Sequence, residues 1–185
     1  MNIAVYCGVS LGNNLAYENV AVELGKWIAA NNNSLIYGDG NVGLMGILAD
    51  TVIDSGSKVI GIMPTFLQER ELAHDKLDSL EIVENMSLRK QRMLKLYDVC
   101  LAIPGGPGTL EEIAEAYSWI RVGQSSSPCI FLNINSYYDL LEQFFDKMVE
   151  EGFLSLVDRK ALKFVSGIDE LDQLIKSYKN INNDK

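Results

Sequence analysis

The sequence predicts a three-layer α/β sandwich in which a mostly parallel sheet is covered by helices on both faces. Short apolar runs of strand length alternate along the chain with longer amphipathic segments, as in proteins built from strand–helix–strand units. The apolar runs show little polar–apolar alternation, which indicates strands buried on both faces. The 185 residues, 48% of them hydrophobic, suit one domain, and neither a linker nor an internal repeat divides them. We expect a single domain over residues 1–179 and a frayed tail over residues 180–185.

Each predicted strand is one of these apolar runs. In chain order they read NIAVYC, SLIYG, KVIGIMP, LEIVE, DVCLAIP, PCIFLN and ALKFV. Helical periodicity predicts helices over about 16–30, 42–55, 87–97, 109–121, 137–150 and 168–178, and on the first of them Val20, Leu24, Trp27 and Ile28 share one face. In open parallel sheets ligands bind outside the carboxyl ends of the strands. The candidate binding loops are therefore CGVSLGNN, GDGNVGLMG, PTFLQERELAH and PGGPGT.

The net charge and the cysteines argue against three features: nucleic-acid binding, disulfides and a metal site. The net charge is −9, from 16 basic and 25 acidic side chains, so the chain has no general attraction for nucleic-acid backbones. The three cysteines are far apart and form no C-x-x-C pair, which favours reduced thiols in a cytoplasmic protein over disulfides or a metal site. No apolar run reaches the roughly 20 residues of a membrane span.

The loop PGGPGT, residues 104–109, predicts an anion site. It follows an apolar strand and leads into a helix, so unpaired backbone N–H groups and the positive end of the helix dipole meet there. It lacks the Gly-Lys-Ser/Thr of a nucleoside-triphosphate loop, and a monophosphate fits it better. The other glycine loop, GDGNVGLMG, matches a dinucleotide fingerprint but follows the second strand, and serves equally well as a tight turn before a helix.

Carboxylates crowd the start of the helix after PGGPGT. Thr109-Leu-Glu-Glu112 matches a capping box, in which Glu112 binds a backbone N–H of its own helix. One cap needs one carboxylate, whereas Glu111, Glu112 and Glu115 supply three, which favours a functional role for some of them. In the preceding helix Arg89 and Lys90 lie near the N-terminus, where the helix dipole disfavours cations. They form either a solvated face or an anion contact, and the position favours the anion.

Two motifs in these segments carry a family resemblance. PGGPGTLEE matches P-G-G-x-G-T-x-x-E, and MSLRK, residues 86–90, matches M-x-x-R-K. Together they resemble the LOG ("Lonely guy") family, cytokinin riboside 5'-monophosphate phosphoribohydrolases formerly labelled lysine decarboxylases, over nearly the whole chain. The resemblance implies a Rossmann-like fold, a homodimer with active sites near the interface, and no cofactor. It also implies hydrolysis of the N-glycosidic bond of purine nucleoside 5'-monophosphates, AMP or its N6-modified relatives, to free base and ribose 5-phosphate.

The motifs also imply roles for individual residues. Arg89 and Glu112 would be catalytic, and the phosphate would sit on the loop and helix start. Glu112 would stabilise positive charge at C1', bind the ribose hydroxyls or activate water, while Arg89 would position substrate or Glu112. The expected substrate contacts are Lys90, Gly105, Gly106, Pro107, Gly108, Thr109, Glu111, Ser118 and Glu71.

Two other functions stay open at this point. A molybdenum-cofactor carrier has a similar sheet with a related glycine motif and binds a phosphate-bearing pterin without chemistry. A lysine decarboxylase would need a lysine that binds pyridoxal phosphate, and Lys90 is the only lysine near the candidate loops. The choice between plain and prenylated adenine is open as well.

Overall fold

The computed structural model describes residues 1–38, 40–68 and 76–183. Within them the strands are β1 (Asn2–Tyr6), β2 (Ser34–Tyr37), β3 (Val59–Pro64), β4 (Ser79–Val83), β5 (Val99–Ala102), β6 (Cys129–Leu132) and β7 (Lys163–Val165). They form one sheet in the order β4-β3-β2-β1-β5-β6-β7, and every described pair of neighbours is parallel. The predicted Rossmann-like α/β fold is therefore confirmed.

The helices agree with the prediction except at several boundaries. Their bounds are α1 (Leu15–Ala30), α2 (Gly43–Asp54), α3 (Thr65–Gln68), α4 (Met86–Leu96), α5 (Pro107–Arg121), α6 (Asp139–Glu150), α7 (Leu156–Ala161) and α8 (Ile168–Asn183). The short helices α3 and α7 were not predicted, because four and six residues are too few to show a helical period. A one-turn 3-10 helix, Ile134–Ser136, precedes α6. Helix α8 continues through residues 180–183, which the sequence assigned to a frayed tail.

The core lies in two layers, one on each face of the sheet, because side chains alternate along each strand. In β1, Ile3 and Val5 pack with the apolar sides of α1, α2 and α8, whereas Ala4 and Tyr6 pack with those of α4, α5 and α6. The predicted apolar face of α1 is buried as expected. No helix in the described ranges has the length and apolar character needed to cross a bilayer.

The strand order places the candidate loops. Connections leave β1 towards β2 on one side and β5 lies on the other, which is the topological switch point where such folds bind ligands. Tyr6 at the end of β1 is in register with Ala102 at the end of β5. The loops that follow β1 and β5 therefore begin side by side.

Candidate active site

Hydrogen bonds join the loops after β1 and β5. The Gly8 N–H donates to the Pro104 carbonyl at 3.1 Å, and the Leu44 N–H at the start of α2 donates to the Gly8 carbonyl at 3.1 Å. From the other side, the Tyr137 hydroxyl donates to the Gly105 carbonyl at 2.6 Å. The glycine loop is thus held by backbone and side-chain contacts before any ligand binds.

Helix α5 begins two residues earlier than predicted. Gly106 is the N-cap and Pro107 is the first helical residue, a position that suits proline because its N–H would be unpaired anyway. Thr109 lies inside the first turn, 4% exposed, and no side chain caps the helix. The capping-box interpretation of Thr109 and Glu112 is therefore wrong. No side-chain cap uses the backbone N–H groups of the first turn, which helices leave unpaired.

Arg89 and Glu112 form a nearly buried ion pair in front of this helix start. The Arg89 Nη2 lies 3.0 Å from the Glu112 Oε1, and the two side chains are 8% and 11% exposed. Arg89 comes from the first turn of α4, which begins where the Asn85 side chain accepts from the Leu88 N–H at 3.0 Å. Glu112 comes from the second turn of α5. Burial raises the pKa of Glu112, and the positive charge of Arg89 partly offsets that rise.

Lys90 faces carboxylates rather than the cavity in front of Arg89. Its Nζ lies 2.6 Å from the Glu111 Oε1 and 2.7 Å from the Glu115 Oε2, and the hydrogen bond that Lys90 donates to Glu111 is the main reason why the pKa of Lys90 is raised. Arg92 of the same helix pairs with Glu81 at 2.8 Å. Pairing with carboxylates therefore explains the basic helix, and the substrate contact expected of Lys90 stays a prediction.

A cavity of about 280 Å³ opens beside the ion pair. Its wall contains seven of the predicted site residues: Arg89, Gly106, Pro107, Gly108, Thr109, Glu111 and Glu112. It also contains seven residues that were not predicted: Cys7, Gly8, Val9, Gly38, Met45, Leu67 and Met86. Most of these lie at or near the carboxyl ends of β1, β2 and β3, so the strand-end rule pointed to their loops although their side chains carry no catalytic signature.

The remaining predicted residues lie elsewhere. Gly105 lines a neighbouring cavity of about 250 Å³, which shares Gly8, Val9 and Gly106 with the first. Ser118 is exposed two turns further along α5, and its hydroxyl donates to the Ala114 carbonyl at 2.8 Å. Glu71 and His74 fall outside the described residues.

The cavity is lined by two chemically different groups of residues. The helix-start amides and the Arg89–Glu112 pair suit an anion next to a carboxylate. The apolar side chains of the lining are Val9, Met45, Leu67 and Met86. Burial raises the pKa of the Cys7 thiol far above its usual range, so Cys7 stays protonated and is a poor nucleophile. The described wall contains no lysine, hence no amine for a Schiff base there.

Comparisons with known proteins show the family that the chain matches. A family model described as "Possible lysine decarboxylase" matches residues 45–176. The cytokinin riboside 5'-monophosphate phosphoribohydrolases LOG1 and LOG3 of Arabidopsis thaliana are 39% and 40% identical to the chain over 176 residues. The matches cover 95% of this chain and 83% and 82% of those proteins.

Solved structures show the same fold. The molybdenum cofactor binding protein of Rippkaea orientalis superposes with a TM-score of 0.72 at 24% identity, over 96% of both chains. A structure titled TM1055 superposes with a TM-score of 0.70 at 22% identity, over 95% of this chain and 98% of its own. At such identities the likeness concerns the fold alone.

Proposed function

The chain belongs to the LOG-type cytokinin riboside 5'-monophosphate phosphoribohydrolases, and on this premise we propose that it hydrolyses purine nucleoside 5'-monophosphates to free base and ribose 5-phosphate. One observation carries the proposal: the Arg89–Glu112 pair lies one turn beyond an uncapped helix start, in the same cavity. A nucleoside monophosphate needs that combination, because it is anionic at its phosphate and becomes cationic at C1' as the glycosidic bond breaks.

The start of α5 is the phosphate site in this proposal. Pro107 contributes no donor, but the amides of Gly108 and Thr109 lie in the first turn, where helices leave N–H groups unpaired. A Cβ at Gly106 or Gly108 would meet nothing within 4 Å, so the backbone there is open to a ligand. Charge-assisted hydrogen bonds of this kind contribute about 1.5–3 kcal/mol each.

Glu112 is the catalytic carboxylate. With the phosphate on the first turn of α5, the ribose reaches the second turn, where Glu112 lies. The ionised carboxylate stabilises the oxocarbenium-like C1' and accepts a proton from the water that attacks it. Water supplies the new C1'–O bond, the electron pair of the C1'–N9 bond goes to the base, and the base takes up a proton. Arg89 stays charged and cannot act as the acid, so its role is to hold Glu112 ionised and in place.

The apolar residues of the cavity lining form the base site in this proposal. Val9, Met45, Leu67 and Met86 offer a surface on which a planar purine is removed from water. The same side chains accommodate an N6-alkyl substituent, and this makes both AMP and prenylated adenosine monophosphates candidate substrates.

The protein acts in the cytoplasm, in keeping with its free and buried cysteines.

We also propose that the protein is a homodimer, as the resemblance implies. An apolar surface on α6, α7 and the turn between them supports it, because Leu140, Phe144, Phe153 and Val157 are 79%, 57%, 80% and 79% exposed. Leu140 and Phe144 are four residues apart and share a face of α6. Several large apolar side chains exposed on neighbouring elements are typical of protein interfaces.

The test is an assay of released base by chromatography with AMP, GMP, CMP, isopentenyladenosine monophosphate and adenosine. We expect adenine from AMP and much less from adenosine, which lacks the phosphate. Glu112→Gln should lower kcat at least about 100-fold, as expected for the loss of one transition-state electrostatic contact.

Glu23→Gln is the matched control, because Glu23 is an exposed carboxylate of α1 that does not line this cavity; it should keep kcat within a few-fold. Both variants should keep a cooperative thermal transition. No base release by the wild type would contradict hydrolysis, and near-normal turnover by Glu112→Gln would contradict the role of Glu112.

A further inference from the structure

Arg89 occupies the space that a side chain at position 38 would need. Gly38 follows β2 directly and lines the cavity. A Cβ built on Gly38 would overlap the Arg89 Nη2 and lie 2.6 Å from the Arg89 Cζ and 3.1 Å from its Nε. Contacts of a Cβ below 3.0 Å are essentially never seen in proteins. The guanidinium therefore lies directly on the backbone of Gly38.

We propose that Gly38 is a positioning residue, whose missing side chain forms the slot that holds the Arg89 guanidinium against Glu112. The effect of Gly38 on catalysis rests on the function proposed above, whereas the packing of Arg89 against Gly38 does not. This packing contact is the packing relation that is tested below. Gly38 acts through Arg89 and needs no contact with substrate.

The guanidinium has few polar contacts among the described residues. Arginine has five N–H donors, and within these residues Arg89 pairs with Glu112 and makes a weak contact from Nη1 to the Met86 Sδ at 3.5 Å. Its Nε is buried and has no hydrogen-bond partner within the described ranges. Packing therefore contributes to the position of the guanidinium, and the backbone of Gly38 is one wall of that packing.

The requirement for glycine at position 38 is steric rather than conformational. Gly43, in the same glycine-rich segment, has φ +61° and a Cβ there would strike the Val9 backbone. Gly38 has no such φ, so alanine suits its backbone, and the three atoms nearest to its Cβ all belong to Arg89. Substitution at position 38 thus acts first on the Arg89 contact.

A double-mutant cycle on thermal stability tests the packing relation without any assay of activity. The proteins are the wild type, Gly38→Ala, Arg89→Ala and the double variant. In the wild-type background Gly38→Ala should lower Tm by about 5 °C, the size typical of an overpacked site in a chain of this length.

In the Arg89→Ala background the same change should shift Tm by less than about 2 °C, because the obstructing guanidinium is gone. Equal losses in both backgrounds would overturn the proposal. If Gly38→Ala does not fold, recovery of folding in the double variant supports the proposal, and failure of both variants overturns it. The control is Gly167→Ala, because a Cβ at Gly167 meets nothing within 4 Å.

The catalytic readout is the pH dependence of kcat/KM for AMP. Displacement of Arg89 from Glu112 should lower kcat about tenfold or more and move the acid limb to higher pH, because a charge that lowers the pKa of Glu112 is withdrawn. Within the described part of the chain, the charged and titratable groups that face Glu112 are Arg89 and Lys90 of α4, Glu111 and Glu115 of α5, and Tyr6 and Cys7 of β1 and its loop.

Of these groups, Gly38→Ala should displace Arg89. Gly167→Ala should leave the acid limb of the pH profile at its wild-type position. An unchanged limb and kcat in Gly38→Ala would overturn the positioning role. Inactivity of the wild type, with the stability cycle intact, would refute the proposed function and leave the packing relation standing.

Discussion

Glu112 experiences two opposing electrostatic effects at the scale of a single residue. Burial disfavours its charged form, and the Arg89 guanidinium 3.0 Å away favours it. Burial is the larger effect, so the pKa of Glu112 lies above the ordinary glutamate value. A carboxylate with a raised pKa is a stronger base than an exposed one.

The first prediction is an acid limb in the pH–rate profile that reflects Glu112. Activity requires the ionised carboxylate, so kcat/KM should fall as the pH drops through the raised pKa, at a higher pH than an ordinary glutamate would give. Glu111→Gln should move this limb to lower pH, because the charge of Glu111 contributes to the raised pKa of Glu112. The measurement is kcat/KM for AMP across the acid range.

Glu23→Gln is the control for that shift, since Glu23 lies on α1 away from the cavity. It should leave the acid limb in place. An acid limb that moves equally in both variants would mean that Glu112 does not set it.

At the scale of elements, the two glycines just before α5 have different surroundings: Gly105 is closely packed, and Gly106 is open. A Cβ at Gly105 would overlap the Thr109 Oγ1 and lie 2.8 Å from the Gly8 N, whereas one at Gly106 would meet nothing within 4 Å. Gly105 is therefore required by the close approach of the β1 and β5 loops. Gly106 faces the space in which we place the phosphate.

The second prediction separates these two glycines. Gly105→Ala should lower Tm by about 5 °C or more, because the added carbon meets backbone and a buried side chain that cannot both move away. Gly106→Ala should change Tm little but reduce the preference for AMP over adenosine, because its methyl group projects towards the phosphate. Thermal melts and the ratio of the two kcat/KM values are the measurements.

Gly123→Ala is not a suitable control for this pair, because Gly123 has φ +72° and alanine would be strained there. Gly167→Ala has neither problem and should match the wild type in both measurements. An unchanged substrate ratio in Gly106→Ala would argue against a phosphate on this turn.

At the scale of the whole molecule, the strand order assembles a site from segments that are distant in the chain. β1 lies between β2 and β5, so the segments at residues 7–9, 38 and 106–109 converge on one cavity. On α6 and α7, by contrast, apolar side chains stay exposed and are not covered by the described residues. A second copy of the chain is the partner that we propose for them.

The third prediction concerns that second copy. Phe153→Asp should raise the Kd of the dimer at least about tenfold, because it puts an unpaired charge into an apolar interface. Sedimentation velocity over a range of protein concentrations measures the effect. Leu15→Asp is the matched control, since Leu15 is 71% exposed at the start of α1 and aspartate suits a helix N-terminus.

A wild type that sediments with the mass of one chain at every concentration would contradict the homodimer. Equal weakening by Phe153→Asp and Leu15→Asp would show that the surface on α6 and α7 is not the interface.

Some of the site was predictable because its signals are local. The apolar strands, the amphipathic helices and the glycine loop each express their structure within a few consecutive residues. The motifs around Arg89 and Glu112 named the pair that the fold brings together at 3.0 Å. Ser118 is on the predicted helix but does not line this cavity, and its hydroxyl donates to the Ala114 carbonyl; its substrate contact stays a prediction.

The sequence by itself determined the succession of strands and longer helices along the chain, the strand ends at which the candidate site lies, and the residues of its acid–arginine pair. Only the tertiary structure decided that α5 begins at Pro107, that Lys90 is held by Glu111 and Glu115, and that Arg89 lies on the bare backbone of Gly38. Helix periods and turns depend on neighbours in the chain, which a sequence displays. The approach of α4 to the end of β2 joins residues about fifty positions apart, and such contacts depend on how the layers pack.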